Sequence, residues 1–220
     1  MTPIAPTVAL AAGRTRQSVW FDKNKHVIDP LVDFLVENRP FRSVMAVVLA
    51  DLRLIAPSRI RIPTAALAVK HPAEELRFRK LVSTAIGVLK TADDVNRFRG
   101  AIVQITVERL LSRTVYSHYS AMQGEAILMV RGVPQVYRIK SHRFACIDWA
   151  ALHYGQSHAI VIECKQYPDK ITRPIRLFLE TFITGALHGV GWATDVQYYA
   201  LAMSRGTQKY LQKGVNTLLF

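Results

Sequence analysis

The sequence predicts an α/β protein in which a mainly helical N-terminal region precedes a domain with the order helix, three strands, helix, strand and helix. Up to about residue 90, apolar residues recur at helical spacing between proline-containing breaks. From Thr91 onward, one long helical stretch is followed by three short strand-like apolar runs that turn-forming residues separate. A chain of 220 residues is long enough to bury a sizeable core around such a sheet.

The composition describes a folded and strongly basic protein. Half of the residues are hydrophobic and only 20% are charged, which excludes a disordered tail or a collagen-like fibre. Lys and Arg number 29 against 16 Asp and Glu, so the formal net charge is +13. This excess favours a polyanionic partner, either nucleic acid or an anionic membrane surface.

Signals for a membrane span or for secretion are weak. No uninterrupted apolar run approaches the ~18 residues that a membrane span needs. Residues 1–13 lack a basic residue before their apolar part and are interrupted by Pro3 and Pro6, unlike a signal peptide. Two cysteines, Cys146 and Cys164, cannot form a four-ligand zinc site on their own. We therefore expect an intracellular protein, in the cytoplasm or nucleoid, without a membrane span.

Residues 1–90 are predicted to form an N-terminal arm followed by a helical docking or oligomerisation region. Residues 1–29 look irregular, and the first helix is expected to start at Asp29, a suitable N-cap, with Pro30 at the first helical position. The predicted helices span residues 30–40, 44–55 and 72–89. They are short and apolar, so we expect them to form a homodimer or to join the chain to a larger nucleoprotein complex.

Residues 91–220 are predicted to form the second domain. Thr91 and Asp94 have the spacing of a capping box, which starts a helix that is expected to reach about His118. The elements predicted after it are strands over 126–130, 143–152 and 159–165, a helix over 172–188, a strand over 196–203 and a short helix over 208–212. The turn-rich link at 153–158 predicts an antiparallel hairpin between the second and third strands.

The candidate chemistry lies in Asp148 on the second strand and in Glu163-Cys164-Lys165 at the end of the third. Alternate side chains of a strand share a face, so Glu163 and Lys165 point the same way. The hairpin brings Asp148 beside Glu163, where two carboxylates repel each other unless a cation lies between them. Two hard oxygen ligands with open positions suit Mg²⁺ or Mn²⁺, and a nearby lysine can orient a metal-held water. A plain surface ion pair is the simpler alternative, but Glu163 and Lys165 close an apolar run typical of a buried strand.

This layout resembles the PD-(D/E)xK, or restriction-endonuclease-like, nuclease superfamily. The matching residues are Ile147-Asp148 and Glu163-Cys164-Lys165, with fourteen residues between Asp148 and Glu163. The element order also fits the family over about residues 92–203, although Ile147 replaces the family's proline. The resemblance implies a restriction-endonuclease-like core, Mg²⁺ or Mn²⁺ as cofactor, and hydrolysis of phosphodiester bonds by two carboxylates and a lysine.

The resemblance also implies roles for further residues. Such enzymes often add an acidic residue from the helix before the first strand, and Glu108 is the candidate. Glu108 would then join Asp148 and Glu163 as a catalytic and metal-binding residue, with Lys165 as the catalytic residue that orients and activates the metal-held water. The backbone carbonyl of Cys164 is a further expected metal ligand, and Gln166 is an expected contact to nucleic acid.

Two basic clusters are candidates for phosphate contacts. The segment from Arg131 to Arg143 contains no acidic residue, and the second cluster flanks the start of the helix after the motif. The residues expected to contact phosphates are Arg138, Lys140, Arg143, Arg173 and Arg176. No zinc finger, helix-turn-helix signature or RNA-binding aromatic motif is evident, so sequence-specific readout is not expected.

The leading hypothesis is a Mg²⁺-dependent endonuclease that acts on nucleic acid, with DNA favoured over RNA. A second hypothesis is a non-cleaving nucleic-acid-binding or architectural subunit of a larger complex that retains the nuclease fold. A third is a basic membrane-surface or protein-interaction module, in which Glu163 and Lys165 form an accidental ion pair.

Overall fold

A computed structural model describes residues 7–13, 16–52, 62–114, 118–139, 142–165, 171–201 and 215–218. The helices are α1 (Arg16–Glu37), α2 (Arg39–Asp51), α3 (Ala65–Lys70), α4 (Pro72–Gly87), α5 (Ala92–Thr114), α6 (Arg173–Arg176) and α7 (Thr184–His188). The strands are β1 (Val8–Ala12), β2 (Ala121–Val130), β3 (Val133–Pro134), β4 (Tyr137–Ile139), β5 (His142–Phe144), β6 (Cys146–His153), β7 (His158–Lys165), β8 (Ala193–Leu201) and β9 (Val215–Leu218). A π-helical stretch, Leu177–Ile183, joins α6 to α7.

The protein is a mixed α/β protein with a mainly antiparallel sheet. The strand order is β1-β2-β6-β7-β8-β9, with β3 paired to β2, and β4 and β5 form a separate two-stranded sheet. β1, β2, β6 and β7 pair antiparallel, whereas β8 runs parallel to β7 and β9 runs parallel to β8. The predicted order of one helix, three antiparallel strands, a helix and a further strand is therefore present in α5, β2, β6, β7, α6–α7 and β8.

Two hydrophobic cores cover the two faces of the sheet. Along β7 the buried side chains alternate, so that Ile160 and Ile162 belong to one core and Ala159 and Val161 to the other. Helices α1, α2, α4 and α5 fill the first core, and α6, the π-helical stretch and α7 fill the second. The sheet thus lies between two helical layers, and β7 is buried on both faces.

The start of α5 confirms the predicted capping box. The backbone N–H of Asp94 donates to Thr91 Oγ1 at 3.1 Å, and the backbone N–H of Thr91 donates to Asp94 Oδ2 at 2.9 Å. Trp20 Nε1 of α1 donates to the other carboxylate oxygen of Asp94 at 2.8 Å. The cap therefore also joins α1 to α5.

Pro30 lies inside α1, so the predicted helix start at Asp29 is wrong. A proline in a helix interior costs about 3 kcal/mol because it removes a backbone hydrogen bond and crowds the preceding turn. Tertiary contacts offset this cost: Leu31 and Phe34 are fully buried, and Asp29 forms an ion pair with Arg109 of α5. Local sequence signals could not reveal the ion pair, since Asp29 and Arg109 are eighty positions apart.

Several other boundaries also differ from the sequence-based prediction. Residues 8–12, expected to be part of an irregular arm, form β1 and pair with β2. The strand predicted over 143–152 is divided between β5 and β6, and β5 pairs with β4 rather than with the main sheet. The helix predicted over 208–212 lies outside the described residues.

The predicted boundary at residue 90 does not coincide with a break in the core. Buried side chains of α1, α2 and α4, among them Leu35 and Phe78, belong to the same hydrophobic cluster as Ile102 of α5 and Trp149 of β6. Residues on both sides of the boundary therefore build one layer against the sheet. A docking or oligomerisation role for residues 1–90 stays a prediction.

No helix within the described part of the chain is long and apolar enough to cross a membrane.

Candidate active site

The β6–β7 hairpin positions the first two candidate residues. The antiparallel register runs from Trp149 opposite Ile162 to His153 opposite His158, as the turn-rich link predicts. Asp148 and Glu163 are the next residues beyond this ladder and lie side by side. Asp148 Oδ2 accepts a hydrogen bond from the backbone N–H of Cys164 at 2.8 Å. This bond fixes the carboxylate of Asp148 at the end of β7.

An irregularity in β2 opens the sheet beside Asp148. The β2–β6 register pairs Gly124 with Trp149 and Ala126 with Ile147, but no ladder pair joins the two intervening residues, Glu125 and Asp148. Glu125 has a φ of 47°, a left-handed conformation that is rare for a residue other than glycine. Ile147 and Trp149 belong to opposite cores, although two residues separated by one position share a face in a regular strand. Asp148 is therefore placed at a bend of its strand.

The ammonium of Lys165 is the point at which three candidate oxygen ligands meet. Lys165 Nζ donates to a carboxylate oxygen of Glu163, lies 3.4 Å from Asp148 Oδ2, and lies 3.2 Å from the backbone carbonyl of Cys164. These three oxygens are the ligands expected from the sequence for a metal ion. A positively charged group thus already lies between the two carboxylates, where electrostatic repulsion requires a cation.

Burial and neighbouring charges shift the pKa values of the ionisable groups in this cluster. Only 7% of Glu163 is exposed. Burial and the neighbouring charge of Asp148 raise the pKa of Glu163 to about 7, although Lys165 acts in the opposite direction. Burial alone would lower the pKa of Lys165, but the charges of Asp148 and Glu163 outweigh it and raise that pKa above its usual value. At neutral pH the lysine is therefore charged, and Glu163 is poised between its protonated and ionised forms.

The pKa of Glu163 predicts a pH-dependent stability of the metal-free protein. The carboxyl ionises at about 4.5 in the unfolded chain but at about 7 in the folded protein, so the folded state binds more protons between these values. The free energy of unfolding should therefore fall as the pH rises through this range, by up to about 3 kcal/mol. Urea unfolding in EDTA from about pH 5 to about pH 8 measures this loss. The difference between wild type and Glu163→Gln isolates the contribution of this residue, and equal slopes in the two proteins would contradict the assignment.

The donor set fits a hard divalent cation. Mg²⁺ and Mn²⁺ prefer carboxylate and carbonyl oxygens, and Mg²⁺ usually keeps several waters, so two carboxylates and one backbone carbonyl are a sufficient protein contribution. Among the described residues, no three Asp, Glu, His or Cys side chains are close enough together to hold a metal ion. Burial raises the pKa of both the Cys146 and the Cys164 thiols.

Glu108 is placed in a neighbouring cavity rather than in the Lys165 cluster. This cavity has a volume of about 450 Å³ and is lined mainly by α1, α5 and β2. Burial raises the pKa of Glu108, and the charge of Glu125 adds to this effect, whereas Arg109 opposes it. The structure brings Asp148, Glu163 and Lys165 together, but it does not add the Glu108 carboxylate to the same group of contacts.

Two residues near the site were missed from the sequence. Gln104 of α5 lines the cavity and donates from Nε2 to the backbone carbonyl of Asp148 at 3.2 Å, which connects the cavity to the Lys165 cluster. Glu125 lies opposite Asp148 at the bend of the sheet. The predicted strand begins only at Ala126, so Glu125 falls outside it. The Gly124-Glu125 pair inside a strand pattern was the signal available for a bulge.

The structure describes four of the six residues that are predicted to contact nucleic acid. Arg138 and Arg143 are exposed on the β4–β5 sheet, and Arg173 is exposed at the start of α6. The guanidinium of Arg176 lies 5.7 Å above the ring of Tyr198, which the β7–β8 register places beside Glu163. Lys140 and Gln166 lie outside the described residues.

Fold and site together define the class as a mixed α/β protein with a carboxylate–lysine cluster at the end of a buried strand. No known family model and no curated protein matches the sequence. Among solved structures, the chain is similar to the crystal structure of protein VC1899 from Vibrio cholerae, with a TM-score of 0.48 and 10% sequence identity. The match covers 92% of this chain and 52% of that one, so this chain spans about half the length of VC1899. At this similarity the match says nothing about the chemistry of the site.

Proposed function

We propose that this protein is a metal-dependent nuclease that hydrolyses phosphodiester bonds of nucleic acid, with DNA favoured over RNA. The observation that carries the proposal is the convergence of the oxygens of Asp148, Glu163 and Cys164 on Lys165 Nζ. Three oxygen ligands and a lysine at one point are the inventory that metal-assisted phosphodiester hydrolysis requires. The order of α5, the antiparallel strands β2, β6 and β7, α6–α7 and the parallel strand β8 supports a restriction-endonuclease-like core.

In this proposal, each residue of the cluster has its own role. Asp148, Glu163 and the carbonyl of Cys164 would hold Mg²⁺ or Mn²⁺, which supplies charge neutralisation at the phosphate and a more acidic water. Lys165 would move off these oxygens and turn its ammonium toward the attacking water or a phosphate oxygen. Since the neighbouring carboxylates raise the pKa of Lys165 despite its burial, the role proposed for it is to orient and stabilise charge rather than to accept a proton.

The structure also favours one alternative, a nucleic-acid-binding subunit that does not cleave by itself. Lys165 already forms ion pairs with both carboxylates, so a cationic group lies between them without a metal ion. Such a site would stay inactive unless a partner or the substrate displaced the lysine.

A cleavage assay on the full chain tests the proposal. Supercoiled plasmid, linear duplex, single-stranded DNA and RNA are incubated with the protein in Mg²⁺, in Mn²⁺ or in EDTA. We expect strand breaks with either metal and none in EDTA, with 5′-phosphate ends as the family resemblance implies. Binding without cleavage on all four substrates would contradict the nuclease and support the non-cleaving subunit.

A further inference from the structure

The β4–β5 ribbon, defined as Tyr137–Ile139 and His142–Phe144, presents two arginines at one point. Its register places Arg138 directly opposite Arg143. Side chains of residues directly opposite each other in an antiparallel pair lie on one face and in contact range. Both arginines are exposed, and like charges in this position repel each other. An anion shared by the two guanidinium groups would turn this repulsion into attraction.

The opposite face of the ribbon packs against the rest of the protein. Tyr137 and Phe144 form the adjacent register pair and therefore point away from the arginines. Their rings pack on the π-helical stretch after α6: Tyr137 is 5.3 Å from Phe182, and Phe144 is 5.8 Å from Phe178, between ring centroids. The aromatic side chains are thus used for packing against the π-helical stretch. The ribbon therefore presents two positively charged side chains on one face, while its other face packs against the protein.

The ribbon leads directly into the candidate active site. Arg143 precedes Asp148 by five residues, which spans at most about 17 Å of extended chain. Cys146 lies between them, and the pKa of its thiol responds to the charges of both Arg143 and Asp148. A nucleic-acid strand rises about 3.4 Å per nucleotide, so the arginine pair is within about five nucleotides of the carboxylates.

We propose that Arg138 and Arg143 together bind a backbone phosphate of nucleic acid a few nucleotides from the bond held at the Lys165 cluster. Arginine is suited to this task because its planar guanidinium binds phosphate oxygens in a two-pronged manner. Phosphate contacts fix the position of a strand but carry no direct sequence information, so the ribbon positions the substrate without selecting a base sequence. The identity of the polyanion rests on the proposed function, whereas the binding itself does not require cleavage.

The test measures binding in EDTA, where cleavage is not needed. A short fluorescein-labelled DNA duplex of random sequence is titrated with the full chain at several salt concentrations, and binding is followed by fluorescence anisotropy. The ribbon variants are R138E/R143E and the neutral R138Q/R143Q. The matched control is K70E/K80E, which changes the net charge as much as R138E/R143E does, on exposed residues of α3 and α4. Helix α4 packs on the opposite face of the sheet from the ribbon.

We expect both ribbon variants to reduce the slope of log affinity against log salt by about one, because the two arginines share one phosphate contact. The control should leave the slope unchanged, and all variants should keep the thermal midpoint of wild type because the altered side chains are exposed. An equal loss in ribbon and control variants, or wild-type slopes in the ribbon variants, would overturn the inference. Stronger binding to phosphatidylserine vesicles than to the duplex would also overturn it.

The two proposals can fail separately. If no substrate is cleaved but the ribbon variants selectively lose DNA binding, the ribbon inference stands and the nuclease does not. If cleavage is observed and the ribbon variants bind DNA as wild type does, the nuclease proposal stands and the ribbon inference does not.

Discussion

Lys165→Met is expected to abolish cleavage and, at the same time, to tighten the binding of Mn²⁺. The ammonium of Lys165 occupies the point at which the oxygens of Asp148, Glu163 and Cys164 converge, so a metal ion at the proposed site would compete with the lysine for the same ligands. Methionine retains most of the apolar stem and removes the competing charge. Loss of one preorganised donor that stabilises developing charge costs about 10²- to 10³-fold in rate, and we expect a loss of that size.

Asp148→Asn provides the contrasting result, since it should lose both cleavage and Mn²⁺ binding. A neutral amide is a poorer ligand for a hard cation than a carboxylate. Titration calorimetry with Mn²⁺ and a plasmid-nicking assay measure the two properties in each variant. Asp195→Asn is the matched control, because Asp195 is a carboxylate on the neighbouring strand β8 that pairs with His158 instead. Weaker Mn²⁺ binding in Lys165→Met, or near-normal turnover in either variant, would show that the cluster is not the catalytic site.

Removal of residues 1–90 is expected to prevent folding of the remainder. The sequence interpretation treats residues 91–220 as a separate domain, but α1, α2 and α4 cover the face of α5 and of the sheet that carries Ile102 and Trp149. Each large apolar side chain re-exposed to water costs about 1.5–3 kcal/mol, and only a few are needed to exceed a typical total stability of about 5–15 kcal/mol. The truncated chain would also lose β1 and expose the edge of β2.

Circular dichroism and urea unfolding of a chain that starts at Thr91 measure this effect. We expect no cooperative transition for this fragment alone. Addition of a separately produced fragment of residues 1–90 should restore it, because the two parts form one core. A cooperative transition of the 91–220 fragment without its partner, with the metal affinity of the full chain, would support the original two-domain interpretation.

The elements with a strong local pattern were predicted well from the sequence. The capping box at Thr91 and Asp94 starts α5, and the antiparallel pairing of β6 and β7 follows from two apolar runs with a turn-rich link between them. The beginning of α1 and the strand β1 were missed, because they depend on partners far along the chain. Arg109 pairs with Asp29 across eighty positions, and Val8 pairs with Val130. Periodicity within a short window contains no information about such contacts.

Only part of the site was predicted, because local sequence patterns specify some of its contacts and long-range packing specifies the others. The period of two in β7 places Glu163 and Lys165 on one face, and the hairpin register places Asp148 beside them, so these neighbours follow from local geometry. Glu108 depends on how α5 packs, and the packing directs it to the cavity beside Glu125. The left-handed conformation of Glu125 is unusual for its residue type, and no propensity predicts it.

By itself, the sequence determined the order of the main elements from α5 to β8, the positive charge and the residues that meet at the end of β7. These properties depend on composition and on contacts between near neighbours, which alternation and turn chemistry specify. The tertiary structure decided that residues before 90 share the core of the sheet and that Lys165 Nζ contacts all three candidate ligand oxygens. It also decided that Arg138 and Arg143 lie on the same face of the ribbon. Burial and long-range packing control these features, because they set which side chains lose water and which distant groups become neighbours.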